Sequence, residues 1–164
     1  MSQSLVDRKS ALATVAVVAI AAAAAAPAAY ADNKRLNDGV VANVYTVQHQ
    51  AGCKTELHVN PQLRLAAQWH AIDLLNNRSL EGDLGSDGTT TPDRAAAAGF
   101  RGRTAETVAI NAALAISGIE LINQWYYNPQ YFTIMSDCGN SEIGVWSENS
   151  LDRTVVVAVY GQPR

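Results

Sequence analysis

The stretch EIGVWSENSLDRTVVVAVY, residues 142–160, decides the fold of this chain. Its second half, TVVVAVY (residues 154–160), is a continuous run rich in β-branched residues, which is typical of a strand covered on both faces. EIGVW (residues 142–146) predicts a second strand, and SENSLDR (residues 147–153) predicts a loop. The two strands should pair as an antiparallel hairpin, and helices must cover both faces of the sheet that contains them.

Two helical patterns in the first half of the chain supply covering elements. Residues 39–50 carry apolar side chains at helical intervals, which predicts an amphipathic helix. Asn60-Pro61 is a helix start, a capping residue followed by proline at the first helical position, and the pattern runs to about Asn77.

Further elements lie between these helices and the hairpin. A short alanine-rich helix should begin at Thr91-Pro92 and end at Gly99. Residues 104–110 predict a short strand or an irregular segment, and residues 117–127 predict another helix that Asn128-Pro129 interrupts. The order of elements predicts a layered α+β domain.

The N-terminal segment has the pattern of an export signal. Arg8 and Lys9 precede an almost wholly apolar stretch, residues 10–27, and Ala29-Tyr30-Ala31 fits the small-residue motif of signal peptidase. We therefore expect a signal peptide over residues 1–31, a flexible polar tail over residues 32–37 and one domain over residues 38–164. The alternative is an uncleaved membrane anchor. After signal removal we expect no transmembrane span.

Composition narrows the range of partners. The formal net charge is −3 and no basic run occurs, so we expect neither nucleic acid nor an anionic lipid surface as a partner. The chain has two cysteines, Cys53 and Cys138. An even pair in an exported protein most simply forms one disulfide, and the spacing does not resemble the close CxxC pairs of zinc sites.

The order of motifs resembles the CAP superfamily of cysteine-rich secretory, antigen-5 and pathogenesis-related proteins. LAAQWHAIDLLNN resembles the helix "A..HS.DM", SDGTTTPDRAAAAGF resembles "DGS...R....GY", and AET resembles the "GEN" turn. QWYYNPQYFTIM and EIGVW resemble "W..S..H...M" and "IGVG". The pattern is most similar to small secreted CAP-like proteins of actinobacteria. The resemblance implies a three-layer α-β-α sandwich and a central cleft that in many members holds two histidines and two acidic residues.

The resemblance transfers that cleft tetrad to four positions of this chain. The loop histidine falls on Asp83, the GEN glutamate on Glu106, the second acidic residue near Asn128 and the last histidine near Tyr131. These four side chains offer oxygen donors and one poorly ligating amide nitrogen, whereas zinc prefers imidazole and thiolate. We therefore expect no functional metal site and no cofactor, although weak calcium binding or a carboxylate pair for glycoside hydrolysis stays open.

The three histidines and one aromatic segment are further candidates for site residues. His70 is either a cleft neighbour or a histidine packed inside the fold and bonded to backbone or to a nearby acid. His49 and His58 flank Cys53, and nothing supports a metal pair there. The aromatic residues between Trp125 and Phe132 form part of the core or line a groove for an apolar ligand.

The sequence predicts a secreted or cell-envelope binding module, without a catalytic residue, that takes a small hydrophobic or lipid ligand. The alternatives are a divalent-metal-dependent hydrolase or protease that uses the cleft, and a structural envelope protein. We expect a monomer.

Overall fold

The computed structural model describes residues 28–164, so the apolar stretch of the predicted signal, residues 10–27, lies outside the described residues. The described part of the chain contains five helices and four strands. In chain order they are α1 (Ala28–Gln50), β1 (His58–Val59), α2 (Pro61–Asn76), α3 (Thr91–Ala97), β2 (Gly102–Asn111), α4 (Gly118–Tyr126), α5 (Pro129–Ser136), β3 (Glu142–Ser150) and β4 (Arg153–Pro163).

The four strands form one sheet in the order β1-β3-β4-β2. Strand β4 lies between β2 and β3 and is antiparallel to both, whereas the two-residue β1 pairs in parallel with the start of β3. The predicted hairpin is confirmed, but the predicted loop over residues 147–153 is wrong. Ser150 pairs with Arg153, so only Leu151 and Asp152 form the turn. Residues 147–150 are polar, yet their backbone continues the ladder.

Alternate side chains of β4 point to two separate apolar cores. Val155, Val157 and Val159 face a core built with α2 and α3. Val156 and Tyr160 face a second core built with α1, α4 and α5. All these side chains are buried, and each is worth about 1.5–3 kcal/mol relative to an exposed position. The arrangement confirms the predicted α+β fold with three α-β-α layers.

Helix α1 begins earlier than the sequence pattern indicated. The apolar periodicity starts at Gly39, but the helix starts at Ala28, and the residues predicted as a flexible tail, 32–37, are helical. Two contacts stabilise these turns. Lys34 pairs with Asp38 one turn later at 2.6 Å, and the Asn33 amide donates to the Ser147 carbonyl at 3.2 Å. The domain boundary proposed at residue 31 remains a prediction.

The Asn128-Pro129 dipeptide starts a helix as well as interrupting one. The Asn128 side chain accepts hydrogen bonds from the backbone N–H groups of Gln130 and Tyr131, and Pro129 opens α5. Asn60 caps α2 in the same way, through the N–H groups of Gln62 and Leu63. Asn128-Pro129 was expected only to end the preceding helix. The segment after it is helical because the Asn128 amide satisfies the first N–H groups of α5.

Two further predictions concern the whole domain. Cys53 and Cys138 form the predicted disulfide, which joins the end of α1 to the loop between α5 and β3. None of the helices within residues 28–164 combines the length and the apolar character that a membrane crossing requires.

Candidate functional site

Glu106 is one of the residues that line a cleft of about 430 Å³. It is on β2, opposite Val159 of β4, and its side chain is 1% exposed. Asp83 of the loop after α2 and Tyr131 of α5 border the same cleft. The structure therefore brings together three of the four positions that the sequence assigned to the cleft.

Both carboxylate oxygens of Glu106 are engaged by buried side chains. His70 Nδ1 of α2 lies 2.6 Å from Oε1, and Arg94 Nη2 of α3 lies 3.1 Å from Oε2. The His70 side chain is 0% exposed and that of Arg94 is 6% exposed, so the group is shielded from water. Three elements thus meet at one carboxylate, and the negative charge of Glu106 is compensated inside the protein.

The sequence analysis missed Arg94. Its guanidinium also donates to the carbonyl oxygens of Asp83, at 2.7 Å, and Thr89, at 2.8 Å, and so fixes the loop that borders the cleft. An arginine in an alanine-rich helix has the pattern of a solvated surface residue. The motif "DGS...R....GY", which residues 86–100 resemble, contains an arginine at this position. The motif therefore marked Arg94, but it did not indicate what the arginine binds.

The short contact with Glu106 assigns a proton to one ring nitrogen of His70. A carboxylate only accepts, so Nδ1 carries a proton, and the second ring nitrogen, Nε2, is buried without a hydrogen-bond partner within residues 28–164. The Nη2 atom of Arg94 also lies 3.1 Å from Nδ1, but both atoms carry N–H groups, so this is a packing contact. His70 is therefore the buried histidine bonded to an acid that the sequence analysis offered as one of its two interpretations.

Asp83 and Tyr131 differ in their surroundings. Asp83 is exposed at the mouth of the cleft, whereas Tyr131 is half-buried. Burial is the largest effect on the Tyr131 phenol and raises its pKa, a hydrogen bond with the Val108 backbone lowers it in part, and the carboxylates of Glu106 and Asp83 raise it by less. The phenol therefore stays neutral at physiological pH.

The remaining predicted residues serve other purposes. Asn128, the fourth tetrad position, caps α5 and does not border the cleft. His49 and His58 are exposed and also lie away from the cleft. In the aromatic segment Trp125 is buried in the core, where its indole donates to the Val108 carbonyl, and Tyr126 packs edge-on against Phe132.

The cleft does not fit the divalent metal that the resemblance described above implies for such a tetrad. Glu106 is buried beside the Arg94 cation, Asn128 caps a helix, and Tyr131 is a neutral phenol. Within residues 28–164 no group of three or more histidine, cysteine, aspartate or glutamate side chains is placed to hold a metal ion. We derive no chemistry through a metal here.

A second, more apolar depression lies where α1 meets the connection between β2 and α4. It has a volume of about 270 Å³, and we call it the apolar groove. Its apolar lining comes from Leu36, Leu114 and Ile116. Leu114 is 56% exposed.

Solved structures share this fold at low sequence identity. An outer surface protein from Borrelia burgdorferi superposes with a TM-score of 0.69 at 19% identity, over 81% of this chain and 96% of that one. An extracellular protein with an SCP domain from Bacillus anthracis gives 0.65 at 15% identity, over 79% of this chain and 41% of that one. The CAP domain of Enterococcal PrgA gives 0.54 at 17% identity, over 79% and 62%.

Sequence comparison identifies the family. No curated protein sequence matches the chain. A family model does match, over residues 35–160, which is most of the chain. This match and the shared fold agree with the motif order seen in the sequence. The chain therefore belongs to the CAP family, the cysteine-rich secretory protein family.

Proposed function

We propose that this protein is a binding module of the CAP family that acts outside the cytoplasm and performs no catalysis in its cleft. The observation that carries the proposal is the state of Glu106, which is 1% exposed and bonded by His70 and Arg94. A general acid or base must reach its substrate, and Glu106 is too deeply buried to do so. The Arg94 guanidinium, 3.1 Å from Oε2, also places a positive charge beside the carboxylate, which disfavours a divalent metal ion there.

The extracellular setting is supported by three observations. The N-terminal residues have the pattern of an export signal, and the domain contains a disulfide, which persists in oxidising compartments. The printed descriptions of two similar structures are an outer surface protein and an extracellular protein.

The apolar groove supports a small hydrophobic ligand. Its apolar lining is open to solvent, since Leu114 is more than half exposed and lines the groove together with the partly buried Leu36. The volume of about 270 Å³ suits part of an acyl chain or a small ring system. The groove shares no lining residue with the cleft, so ligand binding there does not need Glu106.

A fluorescent fatty acid tests this proposal. Dansyl-labelled undecanoic acid should bind the purified protein saturably, and unlabelled palmitate should displace it. Leu114→Asp should weaken binding at least ten-fold, because it places a charge in the groove. Leu151→Asp is the matched control, since Leu151 is 91% exposed at the hairpin turn, and it should bind the probe like the wild type. Equal binding by both variants, or no saturable binding at all, would refute the groove as the ligand site.

A further inference from the structure

A third cavity, of about 210 Å³, lies where the first turns of α1 meet the outer edge of β3. We call it the polar cavity. Polar and aromatic side chains from α1, α2 and β3 form its wall, chiefly Asn33, Asn37, Arg64, Trp146, Ser147 and Asn149. The polar cavity and the cleft around Glu106 have no lining residue in common, so they are two separate sites.

Three of its side chains carry buried oxygen atoms without a hydrogen-bond partner within residues 28–164. They are Asn37 Oδ1, Ser147 Oγ and Asn149 Oδ1. Ser147 is 1% exposed, so bulk water does not reach its hydroxyl freely. Buried polar atoms in folded proteins nearly always bond to protein or to ordered water, and three of the eight unpaired atoms within residues 28–164 belong to residues that line this one cavity. The polar cavity is therefore a place where water or a ligand can supply these hydrogen bonds.

Neighbouring hydrogen bonds hold this wall in place. The Asn149 amide nitrogen donates to Asn33 Oδ1 at 2.7 Å, and the Asn33 amide nitrogen donates to the Ser147 carbonyl at 3.2 Å. These contacts fix the orientation of the Asn149 amide and leave its own oxygen unpaired. The polar cavity is therefore formed before any ligand enters, which lowers the entropic cost of binding.

The charges around the polar cavity select the class of ligand. The Arg64 guanidinium stacks 5.1 Å from the Trp146 ring centroid and would repel a cationic ligand, whereas Lys34, which also lines the wall, is paired with Asp38. An anion would meet the unpaired oxygens and the carboxylate of Glu148, which accepts a hydrogen bond from the Trp146 indole at 2.8 Å. A neutral group that both donates and accepts hydrogen bonds satisfies the oxygens and the Arg64 guanidinium together.

We propose that the polar cavity binds a neutral polyol of about the size of a monosaccharide. Its hydroxyl groups would donate to the oxygens of Asn37, Ser147 and Asn149 and accept from Arg64, and its C–H surface would lie beside Trp146. The volume equals about seven water molecules at ~30 Å³ each, which is enough for one sugar ring. The inference does not depend on the apolar groove.

Nuclear magnetic resonance on the purified protein tests the proposal directly. Isotope-labelled protein is titrated into the millimolar range with glucose, galactose, mannose and N-acetylglucosamine, and the indole signal of Trp146 is assigned with Trp146→Phe. At least one sugar should shift that indole signal saturably. No saturable shift with any of them means that the polar cavity holds water only and overturns the proposal.

Two variants and two controls locate the site. Ser147→Val and Asn37→Leu each remove one unpaired oxygen and should weaken sugar binding at least ten-fold. Asn123→Leu, on the exposed surface of α4, and Leu84→Asp, at a half-exposed position outside the lining of the polar cavity, should bind sugar like the wild type. Asn37 is only partly buried, so its variant decides the question if Ser147→Val does not fold. Unchanged affinity in Asn37→Leu overturns the proposal, and failure of the fatty acid experiment leaves it intact.

Discussion

Replacing Arg94 with methionine should destabilise the protein by about 3–5 kcal/mol, the cost of leaving one member of a buried ion pair without its partner. Methionine preserves much of the apolar stem but removes the charge that faces Glu106. That carboxylate is 1% exposed, so water cannot replace the guanidinium, and His70 alone remains beside it. The carbonyls of Asp83 and Thr89 lose their donors as well, so the loop that borders the cleft should loosen.

A double-mutant cycle separates the ion pair from the loop contacts. Glu106→Gln removes the buried charge, so adding Arg94→Met to it should cost at least ~1 kcal/mol less than Arg94→Met costs alone. Urea denaturation followed by circular dichroism measures each free energy of unfolding. For a domain of this size, each 1 kcal/mol corresponds to a shift of about 3–5 °C in melting temperature, so the single variant should melt some 10–20 °C lower.

Arg78 provides a matched control. It forms a two-point contact with Asp152, at 2.9 and 2.7 Å, but the two side chains are 56% and 64% exposed. Exposed ion pairs contribute little, so Arg78→Met should melt close to the wild type. If Arg94→Met also costs less than ~1 kcal/mol, or if the two arginine variants behave alike, Glu106 does not depend on a buried cation and our interpretation of the cleft is wrong.

Three further predictions concern other parts of the fold. Serine at both Cys53 and Cys138 should lower the free energy of unfolding by about 4 kcal/mol, because the bond closes a loop of 85 residues; an unchanged denaturation midpoint would contradict this. The raised pKa of Tyr131 means that the unfolded chain ionises first, so stability should fall as pH rises above ~10, and less steeply in Tyr131→Phe. Gly144→Ala should cost at least ~1–3 kcal/mol in the same denaturation assay, because the new methyl group would overlap the Arg64 backbone; a neutral result would mean that α2 can move away from β3.

Local sequence patterns were sufficient for the layers of the fold. The β-branched residues 154–160 form the central strand, with alternate side chains in two cores, as a strand covered on both faces requires. Asn60-Pro61 starts α2 because the capping amide and proline act within a few residues. The same logic applies to Asn128-Pro129, where the sequence analysis recognised the interruption and not the new start.

Elements that depend on contacts outside their own stretch of sequence were predicted wrongly. Residues 147–150 have polar side chains typical of a loop, yet they extend β3 because β4 provides a partner for each of them. Residues 32–37 have no apolar periodicity, and the contact of Asn33 with Ser147, which lies 114 positions away, holds the start of α1 on the sheet. Neither partner can be inferred from the local pattern.

In the candidate site, too, some features could be predicted from the sequence and others required the structure. Motif order placed Asp83, Glu106 and Tyr131 around one cleft, because these positions follow from the resemblance to the family. It did not reveal Arg94 as the partner of Glu106, since a one-dimensional pattern does not tell a buried arginine from a solvated one. Whether His70 borders the cleft or is buried against an acid could be decided only from its distance to the Glu106 carboxylate, which is 2.6 Å. The spacing of residues along the sequence does not give this distance.

The central claim is that Glu106 is held by His70 and Arg94 and does not serve metal chemistry. Calorimetric titration of the purified protein with zinc at neutral pH tests it most directly, with Glu106→Gln as the comparison that isolates the cleft from the exposed histidines. The structure predicts no stoichiometric site and the same heats for both proteins. Binding of one zinc ion per chain that disappears in Glu106→Gln would contradict the account.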